Sequence, residues 1–373
     1  MSRRQYTDEG DGPDRSPPSA SASAAPSAAA DDASDESDAS EAPAAGPACF
    51  TVTAEHNGWR LDRVVAAGLP SVSRSRIQTW IEGGAARINS SGARARDRVY
   101  QGDLVEIDVQ EPPELAAFKP EPMDLPIVHE DDAMIVLDKP AGLVVHPGAG
   151  NWSGTLLNGL LAHDPGLSTV PRAGIVHRLD AGTSGLMVVA KTLAVQLDLV
   201  RQLQQRTIVR EYWALVTGVA PSCAVIEAAL ARDPRNPLRF RVSAQANARQ
   251  ARTHVRRIAV SQAATVQVGT CVSWVACRLD TGRTHQIRVH LESVGHPLLG
   301  DPLYAKGRPA VRGPALGLTR QALHACRLSL RHPEHAGPMT WFRAPPEDLA
   351  ALMRSVGFEP RLAVDAFDDG PIE

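Results

Sequence analysis

No stretch of the 373-residue chain stays apolar for the roughly 20 residues that a membrane-spanning helix needs. The first residues lack the apolar core of a secretory signal, and they are too acidic for a transit peptide. Cysteine is scarce and odd in number: Cys49, Cys223, Cys271, Cys277 and Cys326, with no C-x-x-C pair among them. Cys271 and Cys277 lie in a strand-like run that suits core packing better than ligation. Reduced thiols in a cytoplasmic protein are therefore expected. There is no H-E-x-x-H, and His285 and His290 miss the i, i+4 spacing of a zinc helix. Gly148, Gly150 and Gly154 fit neither G-x-G-x-x-G nor a P-loop. The expectation is an activity that uses no metal and no cofactor.

The net charge of −3 averages over unlike parts. Residues 1–48 hold three Arg against ten Asp or Glu, and residues 359–373 hold one Arg against five acids. Residues 49–358 keep the remaining 35 basic and 27 acidic side chains, a net of +8, as a nucleic-acid-facing body requires. Residues 1–48, rich in Ala, Ser, Pro and acids, cannot bury enough apolar surface to offset their ordering entropy and read as a disordered tail. Residues 49–110 read as a small unit. A helix is expected over 60–68, and Ser73 reads as the cap of another over 74–82 that stops at Gly83-Gly84. Arg74, Arg76 and Arg87 lie among its crowded arginines, which suit phosphate contact. Residues 111–126, rich in Pro and acids, read as a linker, 127–355 as a larger domain, and 356–373 as an acidic tail.

In the larger domain, Thr192 reads as the cap of a helix with Leu193, Leu197, Val200 and Leu203 on one face. Arg210 to Gly218 alternates as a strand that carries Tyr212. Thr284 reads as the cap of a helix with Ile287, Leu291 and Val294 as its buried stripe, ended by Gly295. Arg288 lies beside that stripe, free to reach a cleft.

The stretch from Ile175 to Thr192 is an apolar approach, a polar turn and an apolar exit. It presents Asp180 at the mouth of a loop between two core segments, a common way to build a catalytic site. The tripeptide Arg-Leu-Asp means little alone, because it recurs at Arg60–Asp62 and Arg278–Asp280, and such neighbours are usually solvated pairs. His177 before it and Thr183-Ser184-Gly185 after it set Asp180 apart.

That longer string, HRLDAGTSGL, resembles the catalytic motif of the RluA-type RNA pseudouridine synthases. KPAGLVVHPG at 139–148 is similar to their first motif, REYWALVTG at 210–218 to the string carrying their active-site tyrosine, and TGRTHQIRVHL at 281–291 to their third. VSRSRIQTWIEGGAARIN, followed by GDLVEI, resembles the alpha-L RNA-binding module of the ribosomal protein S-four type. The order of parts over residues 50–350 is most similar to the synthases that modify the helix 69 stem-loop of large-subunit ribosomal RNA.

The resemblance implies an α+β protein, in which a small N-terminal RNA-binding module precedes a catalytic domain on a mixed, largely antiparallel sheet with flanking helices. It implies Asp180 as the catalytic carboxylate, Tyr212 as the tyrosine beside the base, and Arg288 as the cation paired with Asp180. Arg178 would fill the gap left by the flipped base, and His177, Arg74, Arg76, Arg87 and Arg283 would contact RNA. The implied partner is ribosomal RNA or a large-subunit assembly intermediate, met by a monomer with no membrane and no metal involved.

The reaction breaks a carbon–nitrogen glycosidic bond and rejoins the same base through carbon 5, with no redox step or donor. Asp180 must carry its charge to act, whether on the base, on the sugar or on a sugar proton, and a buried carboxylate needs a cation close by. The same chemistry on transfer RNA is an alternative. So is a non-catalytic ribosome-assembly factor, for which loss of Asp180, Tyr212 or Arg288 would have been the mark. A glycosidase would want a second carboxylate facing one bond, and nothing pairs convincingly with Asp180.

Overall fold

The computed structural model describes residues 46–110, 117–148, 150–261, 271–304, 317–360 and 367. The expected N-terminal tail lies outside them, save Gly46–Ala48, which open the first strand. The chain divides into two compact units, Met1–Glu111 and Pro112–Glu373.

In the first unit, strands β1 (Gly46–Thr51), β2 (Ala86–Ile88), β3 (Ser91–Gly92) and β4 (Leu104–Val109) form an antiparallel sheet in the order β1-β4-β2-β3. Helices α1 (Leu61–Gly68) and α2 (Arg74–Glu82) belong to the same unit. Alternation along β4 turns Val105, Ile107 and Val109 inward, where they meet Leu61, Val65, Ile77 and Trp80. Ser73 occupies the N-cap position of α2 but makes no capping hydrogen bond, its hydroxyl lying instead against that of Ser75 at 3.2 Å.

The first Arg-Leu-Asp is no solvated pair. Asp62 is fully buried and accepts hydrogen bonds from Arg60 (3.0 Å), Arg74 (2.9 Å) and Gln78 (2.6 Å). Burial alone would raise its pKa, but Gln78, Arg60 and Arg74 together hold it below the ordinary value. Asp62→Asn is expected to cost the first unit about 1–3 kcal/mol, because both arginines are half exposed and can turn to water. Thermal unfolding of the variant checks this; an unchanged transition would mean that the cluster contributes nothing.

Among the described residues, the second unit is built on a nine-stranded sheet. Its strands are β5 (Ile127–Glu130), β6 (Met134–Lys139), β7 (Ser184–Ala190), β8 (Val209–Thr217), β9 (Cys223–Glu227), β12 (Arg252–Val260), β13 (Val272–Leu279), β14 (Leu323–Arg331) and β15 (Pro338–Phe342). They run in the order β5-β6-β7-β14-β8-β13-β12-β9, with β15 paired to β14. Between β9 and β12, β10 (Leu230–Asp233) and β11 (Asn236–Val242) form a separate hairpin. Every pairing in the large sheet is antiparallel except β7 with β14, so the expected mixed, largely antiparallel sheet is found.

Strand β8, expected to alternate, is buried on both faces as β7 is, and from Tyr212 to Val216 it is apolar on both, as helices on each side require. Met187, Val189, Ala214 and Val216 pack with Leu156, Leu160, Ile287 and Leu291, from helices α3 (Leu156–His163) and α5 (Gln286–Ser293). On the reverse face, Leu186 and Val188 meet Val195 and Leu199 of α4 (Leu193–Gln204), while Trp213 and Leu215 meet Leu349 and Leu352 of α6 (Glu347–Ser355). The parallel pair leaves no space at Gly185 (φ +118°), where a Cβ would lie 2.3 Å from the Ala325 carbonyl oxygen.

The structure corrects several expectations. Thr192 does cap α4, accepting from the Val195 amide, but Leu193 and Leu197 are exposed, and the buried face is Val195, Gln196, Leu199 and Gln202. Those glutamines are buried because Gln196 donates to the Pro171 carbonyl and Gln202 to that of Arg331. Val294 stands outside α5 and is exposed. The second half of the supposed linker packs on α3: Asn158 donates to the carbonyls of Ala117 and Lys119, and Glu121 accepts from the Gly154 amide. Val356, Phe358 and Phe367, assigned to an acidic tail, are buried against Trp274 and its neighbours. Cys277 is buried and Cys271 half-buried, as core packing predicts, and all five cysteines are free. Among the described residues, no helix is long and apolar enough to cross a membrane.

Candidate active site

The turn that carries Asp180 is tied down from three directions. Its own backbone closes through the Thr183 amide and the Asp180 carbonyl, 2.9 Å apart. From the end of β6, the fully buried Lys139 donates to the carbonyls of Pro140 (2.7 Å), Leu143 (2.9 Å) and Ala181 (3.1 Å), and the Gly142 amide donates to Ala181 as well. Ahead of β14, Arg320 donates to the Gly182 carbonyl while Asp348 holds its guanidinium at 2.7 and 2.8 Å, and Gln321 donates to the Thr183 hydroxyl. Burial pushes the Lys139 ammonium down to about 7, the Asp180 charge opposing the shift.

Asp180 faces an open cleft walled by Tyr212, Arg210, Arg178 and the Gly282–Ile287 stretch. Arg288, buried on α5, donates to Asp180 Oδ2 at 2.9 Å through Nη1 and grips Asp301 through Nε (2.7 Å) and Nη2 (2.9 Å). Burial would lower the pKa of the guanidinium, but Asp301 and Asp180 raise it, so the cation stays charged. Asp301 is buried and also accepts from the Leu303 and Tyr304 amides, which makes it a rigid anchor.

Tyr212 lines the same cleft from β8, and burial pushes its phenol up to about 12, so it stays protonated. The structure thus brings Asp180, Tyr212 and Arg288 to one place. Arg178 and Arg283 also line the cleft and are at least partly exposed.

The other expected RNA contacts fare differently. His177 is turned inward: its Nε2 accepts from the Val188 amide at 3.2 Å, and burial, then Arg210, push its pKa down to about 3. A neutral ring spent on the β7 backbone supports the turn and is no basic contact. Arg74, Arg76 and Arg87 belong to the first unit, and Arg74 is engaged with Asp62. The helix cap expected at Thr284 is one residue later. His285 is the N-cap, in the left-handed region (φ 56°, ψ 20°), and Gln286 organises the entry by accepting from the Arg283 amide and the Thr281 hydroxyl.

Sequence reasoning missed Lys139, Arg210, His285, Asp301 and Tyr304 as parts of the site. Arg210 carried a signal, since it lies two residues before Tyr212 on one strand face. It is buried in the cleft wall, and its Nε has no acceptor among the described residues. Such a cation is suited to an anionic group arriving with a ligand. Among the described residues, no cluster of His, Cys, Asp or Glu is arranged to hold a metal.

Residues 133–293 match the family model described as RNA pseudouridylate synthase. The chain is 49% identical to the "Ribosomal large subunit pseudouridine synthase D" of Neisseria meningitidis serogroup A over 84% of this chain and 82% of that protein. It is 46% identical to the protein of the same name from Nitrosomonas europaea, over 84% and 89%. A solved structure, human RNA pseudouridylate synthase domain containing 1, aligns with a TM-score of 0.49 and 24% identity, over 66% of this chain and 94% of that one.

Proposed function

The chain belongs to the RNA pseudouridylate synthase family, and on that premise we propose that it converts uridines of large-subunit (23S) ribosomal RNA to pseudouridine, with Asp180 as the catalytic carboxylate. The ribosomal substrate is supported by relatives that carry that name at 46–49% identity across most of both chains. The role of Asp180 is supported by one observation above the rest: Arg288 joins it to a buried anchor, Asp301, at the edge of an open cleft that Tyr212 also lines.

On this reading the target nucleotide leaves its stem-loop and enters beside Tyr212, whose protonated phenol and ring face the base. Arg178 fills the space left behind, and Arg283 and Arg210 receive backbone or carbonyl oxygens. Asp180 acts at the sugar or the base as the glycosidic bond breaks, its charge balanced by Arg288. The first unit serves as the RNA-binding module, with Arg76 and Arg87 toward phosphate, and the enzyme works as a cytoplasmic monomer without metal or cofactor.

The test is pseudouridine mapping of ribosomal and transfer RNA from cells with and without this protein. Sites lost from 23S RNA alone, with the helix 69 stem-loop first to be inspected, are the expected result. Loss confined to transfer RNA would overturn the ribosomal assignment, and no loss anywhere would overturn the activity.

A further inference from the structure

His285 stands in a conformation that a non-glycine residue rarely adopts, at the entry of α5, with its imidazole between Asp180 and Tyr304. The ring's Nδ1 is 2.8 Å from the Tyr304 hydroxyl, and its Nε2 is 4.0 Å from Asp180 Oδ2. Phe240 and Tyr304 pack edge-on against the ring, with centroids 5.8 and 5.6 Å away, and fix its plane.

The hydrogen bonds around the ring favour one nitrogen as the holder of the proton. The Tyr304 oxygen already accepts from the Phe240 amide at 2.9 Å. Its own proton is then well placed to go to His285 Nδ1, the acceptor within reach among the described residues. Burial pushes the Tyr304 phenol up to about 12, so it remains a donor. The His285 pKa is lowered, chiefly by burial with Arg288 and Arg178 adding to it, against Asp180 and Asp301, which keeps the ring neutral. A neutral ring that accepts at Nδ1 carries its hydrogen on Nε2, on the side facing Asp180 and the cleft.

We propose that His285 is a further catalytic residue: its Nε2–H, set by Tyr304, donates a hydrogen bond to a carbonyl oxygen of the uracil in the Asp180 cleft. This rests on the synthase reading above. When the bond from C1′ to N1 breaks, its electron pair leaves with the base, and the charge spreads onto the carbonyl oxygens. A donor already aimed at such an oxygen stabilises that charge without reorganising, and no proton needs to be transferred. Asp180 cannot serve this purpose, because an ionised carboxylate only accepts.

Two substitutions separate the donor from the scaffold. Asparagine tolerates the left-handed backbone and can reach Tyr304 in place of Nδ1, but offers no N–H at the Nε2 position. Glutamine places an amide N–H there. Full-length wild type, His285→Asn, His285→Gln and Tyr304→Phe are assayed for kcat and KM on an unmodified transcript of large-subunit ribosomal RNA. His285→Asn is expected to lose on the order of 10²-fold in kcat, with KM and melting temperature little moved. His285→Gln should recover most of that loss, and Tyr304→Phe should lie between.

Independently of turnover, nitrogen-15 spectra of histidine-labelled protein should show His285 protonated at Nε2 and bare at Nδ1. In Tyr304→Phe that preference should disappear. Wild-type kcat in His285→Asn, equal losses in the asparagine and glutamine variants, or a proton on Nδ1 would each overturn the proposal. A wild-type enzyme inactive on the transcript would instead sink the substrate reading, leaving the tautomer spectrum to decide the hydrogen-bond assignment.

Discussion

Asp180→Asn is expected to abolish pseudouridine formation, by a factor on the order of 10⁴ or more, in a protein that folds and binds RNA as before. The substitution keeps the shape of the side chain and removes its charge and its reactive oxygen. The fold is spared because Arg288 keeps both bonds to Asp301 and can still donate to the amide oxygen of the substituted side chain. Removing a negative charge beside the RNA path does not weaken binding. Two controls share the tripeptide. Asp62→Asn alters the first unit only, and Asp280→Asn removes a carboxylate that accepts from His254 at 3.1 Å and does not line the cleft. Pseudouridine yield on ribosomal RNA, with binding and melting measured in parallel, checks all three. Near-normal turnover by Asp180→Asn would refute its role, and equal losses in all three would reduce the effect to folding.

Arg288→Gln should damage stability and activity together, and a second substitution should pull the two apart. Without the guanidinium, Asp301 is left as a buried, uncompensated charge, a loss of about 3–5 kcal/mol. At about 2–4 °C per kcal/mol for a unit of this size, the melting temperature should fall by roughly 10 °C. Activity should fall by about 10²-fold or more, because Asp180 loses the cation that balances it. Adding Asp301→Asn removes the stranded charge, so the double variant should melt well above Arg288→Gln while remaining inactive. Melting curves and turnover of both variants check this. A double variant that regained turnover would show that Arg288 acts only through stability.

Much of the site was legible in the sequence where its chemistry is local. HRLDAGTSGL, REYWALVTG and TGRTHQIRVHL each place a candidate residue on a recognisable approach, and the structure has Asp180 and Tyr212 lining one cleft with Arg288 bonded to Asp180. The sheet was legible in part: the apolar run of β7 marks a strand covered on both faces, whereas the alternation read along β8 missed that it is buried on both.

What periodicity missed is what depends on partners far along the chain. Buried glutamines look solvent-facing until Pro171 and Arg331 are known to offer carbonyls, so the face of α4 was misread. Asp301 looks like any loop carboxylate until α5 brings Arg288 to it. Likewise, His285 reads as part of a capped helix, because a left-handed N-cap leaves no mark in composition or spacing.

The ties on the Asp180 turn also bear on how the molecule comes into being. Arg320 grips the turn from 138 positions downstream of Gly182, and is itself gripped by Asp348, 28 positions later still. During synthesis, the nascent chain completes its first unit and even its HRLDAGTSGL stretch long before those residues leave the ribosome. Through that interval the turn has within reach only its own backbone bond and the ties from Lys139 and Gly142. The third tie on the turn is therefore completed only when the chain is nearly whole.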